Sequence, residues 1–129
     1  MTPSSRTRSC TEADRNGRRE QAEGFCRDAE DLAVLGTASP NALVPLYVHA
    51  GIAAADVVCC ARLGEYSMSS NHSDAVRILK SADESLAPAM QRLLSVKSAA
   101  GYGATPASAQ RVTDTRNAAL KLITAARRA

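Results

Sequence analysis

The chain has 129 residues, is 45% hydrophobic but only 3% aromatic, and carries a net charge of +3, so it fits one domain whose core is filled by Ala, Leu, Val and Ile. Its basic residues are spread over both ends instead of forming one stripe, which argues against a dedicated nucleic-acid face. Four cysteines with no CxxC pair and an opening MTPSSRTRSC without an apolar run predict no disulfide or zinc framework, no secretory signal, and a cytoplasmic protein whose cysteines act as small core residues.

Residues 1–10 read as a disordered arm and residues 11–129 as a single helical domain. Arg6, Arg8, Arg15, Arg18 and Arg19 crowd the first twenty residues among Ser, Thr and Asn. Their spacing reads as a solvated tail. From Thr11 to Leu35, Ala22, Phe25, Cys26, Ala29, Leu32 and Ala33 make one apolar stripe of helical period. Gly36 supplies a stop, and Ser39, Pro40 and Asn41 a turn and cap.

Between Leu43 and Leu63 apolar residues cover nearly the whole circumference, which predicts a central helix. The segment Ala42 to Ala61 is long enough to span a bilayer, but Pro45, His49 and Asp56 interrupt it. A mid-span Asp costs about 3 kcal/mol on insertion scales, so no membrane association is expected. After the polar loop Gly64 to Ser70, Asn71 and Asp74 open a third helix, interrupted near Pro88 and continued by Leu86, Met90, Leu93, Leu94 and Lys97. Thr105 and Pro106 read as the start of the last helix, with Ala109, Val112, Arg116, Ala119, Leu120 and Ile123 as its stripe.

Three charged residues, Asp56, Lys97 and Arg116, fall at positions expected to be buried, and a buried charge needs a partner or a shifted pKa. The structural reading is an ion pair from Asp56 to Lys97 or Arg116 that sets helix register; the functional one is a polar pocket. His49, seven residues before Asp56, lies on nearly the same helix face. Two histidines without acidic partners one turn away make no metal site, and no phosphate loop, GxSxG or HExxH is present. No cofactor, metal or catalytic residue is expected.

The stretches NALVPLYVHAGIAAADVVCCARLG, NHSDAVRIL and LLSVKSAAGYG, followed by an Ala-rich last helix, resemble the HEPN family (higher eukaryote and prokaryote nucleotide-binding), notably small actinobacterial members. The resemblance runs from about Glu20 to Arg127 and rests on helix order and the short motifs AAxD, xHxxA and LLxxKxxAxYG. It implies an all-α, antiparallel up-and-down four-helix bundle, a homodimer, and association with nucleotidyltransferases in toxin-antitoxin or defence settings. The catalytic branch is a ribonuclease with an Arg four to six residues before a His. Neither His49 nor His72 has an arginine at that distance, which points away from catalysis. Asp56, His72, Lys97 and Tyr102 match the motifs. They are the expected ligand site, converging at one end of the bundle, with Lys97 and His72 on a phosphate or nucleobase and Asp56 orienting one of them. The expected function is a non-catalytic module binding nucleotide, RNA or a nucleotidyltransferase. A helical dimerisation protein without a ligand and a divergent ribonuclease remain as alternatives.

Overall fold

The structure is a computed structural model that describes the backbone of residues 7–68, 71–102 and 106–129, and their side chains except those of 98–102. It is mostly helical, as expected of an all-α chain. Strand β1 (Thr7–Ser9) leads into α1 (Glu12–Leu35) and α2 (Pro40–Leu63). Strand β2 (Glu65–Ser67), α3 (His72–Ala82), a 3-10 turn (Glu84–Leu86), α4 (Ala87–Tyr102) and α5 (Ala109–Arg128) follow.

Helix α1 starts where a reciprocal capping box forms: the Asp14 amide donates to the Thr11 hydroxyl, and the Thr11 amide to the Asp14 carboxylate. It stops at Gly36, which adopts φ 70, a left-handed conformation open to glycine at little cost. Helix α2 is capped by the Ser39 hydroxyl, has Pro40 at its start and contains Pro45 in its body. Asn41 instead receives the Ala107 amide through its side-chain carbonyl, tying the start of α2 to the approach to α5.

Helix α2 packs against α1, α3, α4, α5 and β2, so an apolar circumference is what its position demands. It is long and apolar enough to cross a membrane, yet 72% of its most apolar window is buried inside the protein, as in the core helix of a bundle. Gly51 lets it approach its neighbours. A Cβ at this position would overlap the Leu93 side chain and stand 3.3 Å from the Ala119 Cα.

Several sequence expectations need correction. The third helix is two helices, because the Asp83 carboxylate accepts from the Ser85 amide and hydroxyl and so starts a new turn that competes with the helix. The last helix is capped by Ser108, whose hydroxyl accepts from the Arg111 amide, so Pro106 precedes it; Thr105 lies outside the described residues. Its buried face is Thr115, Ala118, Ala119, Leu122, Ile123 and Ala126, rotated from the expected stripe, with Ala109 exposed.

The cysteine reading also changes. Cys26 and Cys59 are buried free thiols, but Cys10 and Cys60 form a disulfide across a separation of 50 residues. The cause is a fold-back. Strand β1 pairs antiparallel with β2 in the register Thr7 to Ser67, Arg8 to Tyr66 and Ser9 to Glu65, which carries Cys10 to the last turn of α2. Residues 7–10 of the expected arm therefore form a strand and a covalent tie, while residues 1–6 lie outside the described residues. Arg15, Arg18 and Arg19 belong to α1, and Arg19 donates to the Ala126 and Ala129 carbonyls at the end of α5.

Candidate functional site

Asp56 is held in the middle of α2 with only 16% of its side chain exposed. Its partner is neither Lys97 nor Arg116. Arg18, one helix earlier, places its Nε 3.4 Å from the Asp56 carboxylate and its guanidinium 5.4 Å from the centre of the Tyr66 ring. Burial raises the Asp56 carboxyl from its ordinary 3.8 to about 6, with Arg18 pulling the other way. Desolvation therefore outweighs the ion pair. A cavity of about 250 Å³ opens beside it, lined by Arg18, Gln21, Phe25, His49, Ile52, Ala53 and Asp56. His49 lies exposed on its rim with its ring 5.6 Å from Phe25.

Arg116 is engaged elsewhere. Its guanidinium donates to the Glu30 carboxylate at 2.9 to 3.1 Å, and the fully buried Tyr47 donates its hydroxyl to the same carboxylate at 2.9 Å. Both donors favour the charged form and hold the Glu30 carboxyl below its usual range, Arg116 the more strongly. Desolvation, aided by the hydrogen bond to Glu30, pushes the Tyr47 phenol up to about 12. Together with Glu23 and Arg127, joined at 2.7 Å, Glu30 and Arg116 form a polar seam between α1 and α5, with Tyr47 of α2 reaching it from the core.

His72 opens α3 and lines a separate, larger groove between α3 and α4. This groove has a volume of about 630 Å³ and is lined by His72, Ser73, Val76, Arg77, Lys80, Gln91, Leu94 and Ser95. Its walls arise from helix periodicity: His72, Ser73, Val76, Arg77 and Lys80 occupy one face of α3, and Gln91, Leu94 and Ser95 one face of α4. Val76 and Leu94 supply an apolar floor. The lining holds three groups that carry or can take positive charge, three neutral hydrogen-bonding side chains and no carboxylate. Arg77 pairs with Asp74 at 3.1 Å and Lys80 with Glu84 at 3.9 Å. Both are local pairs of the kind that contribute at most about 1 kcal/mol near a protein surface, with Asp74 the more buried of the two carboxylates.

The four sequence candidates are not gathered at one place. Asp56 lines the α1–α2 cavity and His72 the α3–α4 groove, and neither lining includes Lys97. Lys97 is exposed although Leu86, Met90, Leu93 and Leu94 on the same stripe are buried; its long stem lets the ammonium reach water from the edge of an apolar face. The Tyr102 side chain lies outside the described residues. Sequence reasoning missed Arg18, Arg77 and Lys80. The i, i+3 spacing of Arg77 and Lys80 was a readable signal that α3 has a basic edge. Among the described residues no group of three or more His, Cys, Asp or Glu side chains is arranged to hold a metal. No protein-family model, curated protein or solved structure matches the chain.

Proposed function

We propose that this chain is a non-catalytic, HEPN-like binding module that takes the phosphate of a nucleotide, or of a short RNA, in the groove between α3 and α4. One observation carries the reading: His72, Arg77 and Lys80 border a groove of about 630 Å³ that has an apolar floor and no carboxylate in its lining. Phosphate oxygens need several convergent donors and nearby positive charge, which Arg77 and Lys80 supply by exchanging their carboxylate partners Asp74 and Glu84 for the phosphate, while Val76 and Leu94 offer a surface for a base or sugar. In this reading α1, α2, α4 and α5 form the four-helix bundle, α3 is an addition that completes the groove, and Lys97 and Asp56 stand outside the site. A nucleotidyltransferase partner, which follows from the HEPN resemblance, and a cytoplasmic location, expected from the opening residues and the cysteine spacing, belong to the same proposal.

Thermal unfolding of wild type, Arg77→Ala and Lys80→Ala against nucleoside mono-, di- and triphosphates, short RNAs and inorganic phosphate tests it. A ligand present at a hundred times its Kd stabilises the folded state by about 2.7 kcal/mol. The expected result is a rise in midpoint with nucleotide or RNA in wild type that is lost in both variants. No rise with any of these ligands, or equal rises in all three proteins, would overturn the assignment.

A second reading, homodimerisation through an apolar tip, is favoured by Val34 and Leu35, which are 87% and 68% exposed at the end of α1. Side by side at a helix tip, they make a small contiguous apolar patch of the kind that a second copy of the chain could cover. Sedimentation of wild type and Val34→Asp/Leu35→Asp distinguishes a dimer that dissociates in the variant from a monomer in both.

A further inference from the structure

Strand β1 is attached to the protein in an unusual way. All three of its residues are exposed, so it buries no core side chain, and its ladder with β2 is only three residues long. A two-stranded ribbon of this size is marginal in water without help. The help comes from the Cys10 amide, which donates to the Gly64 carbonyl at 2.9 Å, and from the Cys10–Cys60 disulfide. The helical part does not need the strand. Helix α1 has its own capping box at Thr11 and Asp14, one residue beyond the disulfide, so detaching everything up to Cys10 leaves the start of α1 capped and hands the Gly64 carbonyl over to water.

We propose that the Cys10–Cys60 disulfide is a redox-operated latch: a dithiol reductant opens it, β1 leaves the helical bundle, and the bundle stays folded. The exchange balances within the two sulfur pairs. A thiolate of the dithiol attacks the Cys10 sulfur and expels the Cys60 thiolate; its second sulfur, as thiolate, then attacks the reagent's own sulfur in the mixed disulfide and expels the Cys10 thiolate, so the dithiol becomes a disulfide and its two protons and two electrons end on Cys10 and Cys60. The two sulfurs differ in access. Cys60 is 7% exposed whereas Cys10 is half-buried at the surface, so attack falls on Cys10 and the Cys60 thiol returns to the core as a small apolar side chain.

The neighbouring thiol does not interfere. Burial, with Asp56 and Glu65 nearby, pushes Cys59 up to about 12, and a protonated thiol does not exchange. Opening has a local consequence. Arg8 lines a cavity of about 330 Å³ with Asp14, Gly17, Arg18, Gln21 and Tyr66, and loss of β1 removes that wall. In a reducing compartment the latch is open until an oxidant closes it; in an oxidising one it is closed.

Hydrogen exchange read by mass spectrometry tests the latch on the full chain, oxidised and after dithiothreitol, alongside Cys10→Ser/Cys60→Ser. Alkylation in denaturant counts thiols in parallel. The oxidised chain should show two thiols and at least tenfold protection of the Cys10 amide and the β1–β2 pairs. Dithiothreitol should give four thiols and abolish that protection, while amides of α2 and α5 stay at least a hundredfold slower than unfolded and the far-ultraviolet helix signal is unchanged. The double variant, with two thiols throughout, should show the exchange pattern of the reduced form with or without dithiothreitol. Three results overturn the proposal: β1 protection equal in both redox states, helices that lose protection together with β1, or four thiols persisting after incubation with oxidised glutathione.

Discussion

Replacing Asp56 by Asn should stabilise the protein at neutral pH, and the gain should disappear in acid. In the unfolded chain the carboxyl ionises near its ordinary 3.8, whereas in the folded protein burial holds the proton until about 6. A raised carboxyl pKa means that the folded state binds the proton more tightly. The stability this contributes is complete below 3.8, declines as pH rises, and is gone once pH has passed the folded value near 6. Each pH unit between the two values is worth about 1.4 kcal/mol, so ionised Asp56 costs the fold about 3 kcal/mol at pH 7 relative to a neutral side chain of the same shape. The Arg18 attraction is already inside that figure, since it acts on the same equilibrium. Asn keeps the shape and lacks the charge. Urea unfolding of wild type and Asp56→Asn at intervals from pH 3.5 to 8 measures the difference, in which other titrating groups cancel. The expected difference is near zero at pH 3.5 and rises to about 3 kcal/mol in favour of Asn by pH 7. Parallel curves, or an Asn variant less stable than wild type at pH 7, would show that Arg18 compensates the buried charge and that the reasoning is wrong.

Glycine substitutions should differ in sign. Gly51→Ala pushes the Leu93 side chain aside and sets the new Cβ 3.3 Å from the Ala119 backbone, an overpacking cost of about 1 to 3 kcal/mol that exceeds the gain of roughly 1 kcal/mol in helix propensity. Gly17→Ala meets nothing within 4 Å and should raise the urea midpoint. Tyr47→Phe removes the hydroxyl from Glu30 and should cost about 1 kcal/mol; an unchanged urea midpoint would mean that Arg116 alone satisfies that carboxylate. Lys97→Ala, at an exposed position, should change the free energy of unfolding by less than about 0.5 kcal/mol.

Much of the helical frame is legible in the residue order because it depends on neighbours along the chain. The α1 stripe and the Gly36 stop predict a first helix ending at Leu35, where it ends. The all-round apolar α2 is the central helix. What depends on which helices touch is not legible. Spacing shows that Asp56 is a charge in an apolar segment but cannot say that Arg18, 38 residues earlier, turns toward it. The Cys10–Cys60 bond is hidden for the same reason, since no local pattern announces that β1 folds back onto β2. The candidate groove lies between these cases. His72 was singled out by motif, and Arg77 and Lys80 fall on its face of α3 by helix geometry, but only the placement of α4 makes the three border a cavity. Lys97, expected to be buried, is exposed because a periodic stripe does not distinguish its centre from its edge, where a lysine remains in water.

The disulfide also decides how the molecule carries mechanical load. If the chain is stretched between a handle placed before β1 and another after α5, tension reaching Cys10 passes directly to Cys60 through the two sulfurs. Residues 11–59 hang outside that path as a slack loop. Helix α1 and most of α2 then bear no pull, and the force falls on the last turn of α2 and on everything after it. An oxidised molecule should therefore lengthen on rupture by roughly 170 Å less than a reduced one, the extended reach of the residues that the bond takes out of the line.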